Sequence, residues 1–129
     1  MRLLFDTHLL LWLAAEASER LSAQAIRLVE DPDNDLFFSA ASLWEIAIKH
    51  RRRRSDFEVD PRVFRRNLSL NGYAELPVTS EHAVAVADLP PLHKDPFDRI
   101  LVAQSIVEGL KLVTADPIVA QYPAPIRRV

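Results

Sequence analysis

The chain has 129 residues, 49% of them hydrophobic, which is enough to bury a substantial core within one domain spanning residues 1–129. The absence of cysteine excludes a disulfide framework, an iron–sulfur or zinc-thiolate site and a cysteine nucleophile. A net charge of −2 excludes a globally basic nucleic-acid coat, so any contact with nucleic acid has to be local.

Arg2 to Phe5 is a short apolar run ending at Asp6, the pattern of a buried strand, and Thr7 to Ala15 then places leucines and Trp12 at helical spacing. The opening MRLLFDTHLLLWLAA has the charged start and apolar body of a signal peptide. Asp6 and His8 interrupt it, and no run of about 20 apolar residues occurs anywhere, so it is read as part of the folded chain, with no membrane span. A second helix is expected over Ser22 to Glu30, capped by Ser18 or Ser22, followed by a turn-rich connection from Asp31 to Asp35. Leu36 to Phe38 is the next strand, closed by Ser39, and Ala40 to Arg53 the next helix, with Leu43, Ile46 and Ala47 along one side and Glu45 in its second turn.

Asp60-Pro61 opens a further helix and Asn71-Gly72 closes it. Ala74 to Val78 is a third strand, and Thr79 or Ser80 caps a helix through about Ala87 that ends before Pro90-Pro91. Asp95-Pro96 then starts a helix running to Glu108, apolar around most of its circumference and therefore expected to be central, with Gly109 as its stop. Lys111 to Thr114 is a fourth strand, Ala115-Asp116-Pro117 leads into a short helix, and Ile126 to Val129 suits an edge strand. Short apolar strands alternating with helices predict an α/β layer with a largely parallel sheet, whose sites form beyond the carboxyl ends of the strands.

Four acids have unusual surroundings. Asp6 and Asp116 follow strands, while Glu45 and Asp98 lie early in helices whose N-termini face the same sheet edge. Glu45 is the lone acid in AASLWEIAIK, and Asp98 shares a helix face with Leu101 and Val102, where an unpaired charge is expensive. An arginine, backbone donors or a metal has to compensate it. Helix capping is the competing explanation for Asp6, and dipole complementation for Asp98. Asp31, Asp60, Asp95 and Asp116 all precede proline, so this chain habitually opens helices and turns with Asp-Pro, and Asp95 reads as a cap before it reads as a ligand.

Several carboxylates with few histidines suit a hard cation, Mg²⁺ or Mn²⁺, and without one their mutual repulsion should raise their pKa values. With one or two cations such a cluster can hydrolyse a phosphodiester through an activated water. His8, His50, His82 and His93 show no ligand-type pairing and are expected to be surface or structural. Trp12 and Trp44 suit the core or a subunit interface. Ser39 and Thr7 can hydrogen-bond neighbouring acids, although capping explains Ser39 as well. The run Lys49 to Arg54, KHRRRR, exceeds what a helix C-terminus needs and fits phosphate or an acidic partner.

A phosphatase with an aspartyl nucleophile is disfavoured, because the second aspartate usual two residues after the first is here His8. The chain contains two glycines and no phosphate-cradling glycine motif. A non-catalytic binding module, with the acids as caps and the arginines as its interface, is the other reading the residues allow.

LLFDTHLLLW, SAASLWEIAIK, LPPLHKDPFDRILVAQ and LVTAD together resemble the PIN-domain ribonucleases, in particular the VapC toxins of toxin–antitoxin pairs, across essentially the whole chain. The resemblance implies a three-layer α/β/α fold with a mainly parallel sheet and a Mg²⁺- or Mn²⁺-dependent endoribonuclease. Asp6, Glu45, Asp98 and Asp116 match the family's acids, and Thr114 matches a position that helps order the site. Arg99 would orient Asp98 or contact phosphate, with a surface salt bridge as the plain alternative. Homodimerisation, a cognate VapB-like antitoxin whose C-terminal arm covers the acidic groove, and a cytoplasmic location follow from the same resemblance. A catalytically inactive PIN-fold module that binds RNA or a protein is the alternative. His50 and four arginines replace the less charged, glycine-containing segment that many relatives carry after the lysine matching Lys49, which bears on loop shape and on RNA or partner preference.

Overall fold

The computed structural model describes residues 1–15, 18–52 and 59–129. Five strands, β1 (Arg2–Phe5), β2 (Asp35–Ser39), β3 (Ala74–Leu76), β4 (Lys111–Thr114) and β5 (Ile126–Arg128), form one sheet in the order β3-β2-β1-β4-β5. Every pairing is parallel. Six helices connect them: α1 (Thr7–Ala14), α2 (Ala23–Glu30), α3 (Ala40–Arg51), α4 (Pro61–Leu70), α5 (Ser80–Ala85) and α6 (Pro96–Glu108).

β1 is the central strand, with Leu4 opposite Phe37 of β2 on one side and Leu112 of β4 on the other. The strand order reverses between β1 and β4, which makes the crevice beyond their carboxyl ends the favoured place for a site. Alternation along β1 divides the core into two layers. Leu3 and Phe5 pack with Leu9, Leu10, Leu28, Ile46, Phe64 and Leu68 from α1 to α4. Leu4 and Leu112 pack with Leu101, Val102, Ala103 and Tyr122 on the other face. The expected α/β/α layering is therefore present.

Caps set most of the helix boundaries. Asp6, Ser22, Ser39, Asp60, Thr79 and Asp95 each accept a backbone N–H in the first turn of α1 to α6 respectively. Pro61 and Pro96 follow two of these aspartates, so the Asp-Pro habit does open helices. α6 ends at Gly109, whose φ of +67° is a left-handed conformation in which a Cβ would be strained.

Several boundaries differ from expectation. β3 stops at Leu76 because Pro77 has no N–H to continue the ladder. α5 gives way at Val86 to a 3₁₀ turn through Asp88, since the Arg99 guanidinium takes up the carbonyls of Val86 and Leu89. The expected helix after Pro117 is a single 3₁₀ turn, Val119–Gln121. α6 is buried from Leu101 to Ser105 but exposes Ile106, so its apolar circumference is only partly covered. α3 ends within the described residues at Arg51, and Arg53 and Arg54 of the basic run lie outside them. No described helix is long and apolar enough to cross a membrane.

Candidate functional site

The carboxyl edge of β1 and β4 opens into a cleft of about 330 Å³ lined by Asp6, His8, Trp12, His93, Asp95, Asp98, Ala115 and Asp116. Asp6 leaves β1 and immediately caps α1, accepting from the Leu9 N–H at 2.9 Å through Oδ1. Its other oxygen accepts from the Thr114 hydroxyl at 2.5 Å, which ties β1 to the end of β4. Thr114 Oγ1 in turn accepts the Asp116 N–H at 3.0 Å, so one buried threonine orders both strand-end acids.

Glu45 is buried to 2% exposure, and its flanking residue Trp44 points the opposite way at 64%. Lys49, one helical turn on, binds Glu45 Oε2 at 2.5 Å. Glu45 Oε1 has no hydrogen-bond partner among the described residues. Asp98 occupies the first turn of α6, half-buried, and its pKa is pushed up to about 8. Desolvation is the largest cause, followed by the negative charges of Asp95, Asp6, Glu45 and Asp116. Burial likewise raises the pKa of Asp6, only partly opposed by the Thr114 and Leu9 hydrogen bonds. Crowding by neighbouring carboxylates thus adds to the rise at Asp98, whereas at Asp6 burial dominates and the charge of Asp116 adds least.

Asp6, Asp98 and Asp116 meet in the cleft, and Glu45 stands within electrostatic reach of Asp98 from the α3 side. Asp95 is chiefly the α6 cap, accepting from Phe97 N at 2.8 Å and Asp98 N at 3.3 Å. Asp116 does two things: Oδ1 accepts the Ile118 N–H at 2.8 Å, while Oδ2 faces the cleft. Ser39 caps α3 through Ala41 N and is fully buried. Thr7 donates to Ser42 at 2.9 Å, joining the first turns of α1 and α3, and contacts none of the acids by hydrogen bond.

Arg99 departs from both roles expected of it. Its guanidinium donates to Pro90 O at 3.0 Å, Val86 O at 3.2 Å, Leu89 O at 3.5 Å and the Tyr122 hydroxyl at 3.1 Å. A planar fork with five N–H donors suits a set of carbonyls better than one carboxylate, and the residue serves the chain leading into α6. It makes no ion pair with Asp98 and does not line the cleft.

Two residues of the site escaped the sequence reading. His93, expected to be surface or structural, places Nε2 at 3.3 Å from Asp98 Oδ2 and 3.5 Å from Asp116 Oδ2. Among the described residues these three bring possible ligand atoms within 4.8 Å of one another. A pairing rule for histidines at helical spacing cannot find a histidine outside a helix, but its place in HKDPFDR could have. Lys49 heads the basic run that fits phosphate or an acidic partner, and its i, i+4 spacing from Glu45 is the sequence signal for the pair.

The donor set fits a hard divalent cation. It offers carboxylate oxygens on Asp6, Asp98 and Asp116 and a buried Glu45 oxygen with no hydrogen-bond partner among the described residues.

A PIN domain family model matches residues 3–125. Ribonuclease VapC22 of Mycobacterium tuberculosis is 31% identical over 113 residues, covering 88% of this chain and 85% of that protein. Among solved structures, VapBC2 from Rickettsia felis bound to a DNA fragment from its promoter superposes with a TM-score of 0.72 at 12% identity, over 99% of this chain and 98% of that one. VapBC-1 from nontypeable Haemophilus influenzae gives 0.61 at 14% identity, over 99% and 98%. A toxin–antitoxin complex from Klebsiella pneumoniae gives 0.60 at 19% identity, over 98% of each chain.

Proposed function

The chain belongs to the PIN-domain family, and from that premise we propose that it is a divalent-metal-dependent endoribonuclease of the VapC toxin type. The observation that carries this reading is the convergence of Asp6, Asp98 and Asp116, with Glu45 beside them, at the carboxyl edge where the strand order reverses. The curated relative is a ribonuclease by name, and the structural neighbours are toxin–antitoxin complexes, which supports an RNA substrate and an antitoxin partner of the VapB kind.

Asp6, Glu45, Asp98 and Asp116 would hold Mg²⁺ or Mn²⁺. When bound, that ion supplies a lowered pKa for an attacking water and charge stabilisation on the phosphodiester oxygens. Thr114 fixes one Asp6 oxygen and so keeps the carboxylate's orientation. Lys49 neutralises one oxygen of Glu45 and leaves Oε1 available. Asp98, whose pKa is about 8 without a cation, has to give up its proton to hold one, so metal binding at this residue weakens as pH falls.

An apolar groove of about 580 Å³, lined by residues including Trp44, Val78, Val86, Phe97 and Ile100, supports a homodimer that covers α3 and α6 beside the site. A cytoplasmic location is part of this reading and rests on the family membership alone.

Purified protein freed of any antitoxin, incubated with total tRNA and rRNA, is expected to make discrete cuts with Mg²⁺ or Mn²⁺ and none in EDTA. Asp98→Asn should cut at least ~100-fold more slowly. Cuts that survive in EDTA or in the variant sink the mechanism, and an uncut pool with folded, metal-loaded protein sinks the nuclease.

A further inference from the structure

Resting on the metal site just proposed, the geometry points to His93 as a positioning residue outside the cation's coordination shell, donating from Nε2–H to both Asp98 and Asp116. Proximity alone suggests the opposite, since Nε2 and the two carboxylates lie close enough to share one ion. The tautomer decides against that. His93 Nδ1 accepts the backbone N–H of Asp95 at 3.1 Å, and a backbone N–H can only donate. Ligation through Nε2 would put the ring proton on Nδ1, head-on against that N–H. The ring proton therefore resides on Nε2.

That nitrogen sits between Asp98 Oδ2 at 3.3 Å and Asp116 Oδ2 at 3.5 Å, ion-pair contacts longer than a formed hydrogen bond to either, so its proton is placed to be drawn to both carboxylates. Asp98 stands at the start of α6 and Asp116 beyond β4, so the imidazole spans two elements that share no direct hydrogen bond at these side chains. It sets the gap between two mutually repelling carboxylates. Outer partners of this kind orient carboxylate ligands without touching the metal.

The ring is itself held in place. The His93 N–H donates to the Tyr122 hydroxyl at 2.9 Å, and that oxygen also receives Arg99 at 3.1 Å. Arg99 anchors Pro90, three residues before His93, by its carbonyl. The arginine beside Asp98 thus reaches the acidic cleft through Tyr122 and His93.

Two measurements test the assignment. In ¹⁵N-labelled, metal-free wild type, His93 should show a protonated Nε2 and an unprotonated Nδ1; the reverse tautomer overturns the proposal. In Mn²⁺-loaded protein, pulsed EPR should show no directly coordinated imidazole nitrogen. A strong nitrogen coupling that His93→Gln abolishes makes the residue a ligand and also overturns it. Mn²⁺ affinity should fall about 10- to 100-fold in His93→Leu and stay within a few-fold of wild type in His93→Gln, which keeps an N–H near the same point. Unchanged affinity in a folded His93→Leu shows that the bridge does not position the acids. Tyr122→Phe, which keeps the ring in the core, should weaken Mn²⁺ binding in the same direction if His93→Leu fails to fold. A wild type that binds no Mn²⁺ defeats the metal-site reading, while the tautomer in the metal-free protein still decides whether His93 is the donor.

Discussion

Asp98 illustrates how a single side chain couples charge to stability. Its folded pKa of about 8 lies well above the ordinary aspartate value of 3.8. Between those values the folded chain keeps a proton that the unfolded chain has released, so stability is greatest at low pH and falls as pH rises through about 8. Asp98→Asn removes this loss. In EDTA its stability should exceed that of wild type by a margin that widens from pH 5 to pH 8 by up to about 4 kcal/mol, at ~1.4 kcal/mol per pH unit; a margin that is flat with pH refutes the shift. Lys49 carries the converse case. Lys49→Met leaves Glu45 buried without its cation and should lower metal-free stability by about 2 kcal/mol in urea denaturation, partly recovered by Mn²⁺. At this scale context set the acids apart in sequence: apolar neighbours for Glu45 and Asp98, a place directly after a strand for Asp6 and Asp116. His93 and Lys49 were not, since what singles them out is a partner placed by the fold: a neighbouring backbone N–H for His93, and for Lys49 a Glu45 already sealed from water.

Elements were legible wherever a cap spoke for itself. The Asp-Pro openings at Asp60 and Asp95 fixed the starts of α4 and α6, and Gly109 fixed the end of α6. Where a boundary depends on a distant group, local sequence had no signal, as at α5, where the carbonyls of Val86 and Leu89 just beyond its end are claimed by an arginine on another helix. Arg99→Lys is therefore not a conservative change. A single ammonium cannot serve three carbonyls and a hydroxyl, so the variant should lose about 1–3 kcal/mol, and amide exchange should quicken over residues 86–93 before it does in β1 or β4. Exchange that quickens uniformly instead refutes a local anchoring role.

The whole molecule followed from alternation of strands and helices, which predicts a parallel sheet and a site at its carboxyl edge without fixing which strands adjoin. The order β3-β2-β1-β4-β5 is a tertiary result, and it is what carries Asp116 to Asp6. The same assembly leaves Trp44 and Phe97 edge to face on the surface, with ring centroids 5.2 Å apart, one position before Glu45 and Asp98 respectively. If this face joins two copies, Trp44→Arg should convert a dimer to a monomer in sedimentation velocity, and a wild type that sediments as a monomer at micromolar concentration refutes that interface. The bond from Thr114 to Asp6 spans 108 positions of chain. Asp6 therefore leaves the ribosome 108 residues before its partner. A nascent chain can carry three of the four acids and still lack the strand that gathers them, so the cleft comes into being only once β4 has been made.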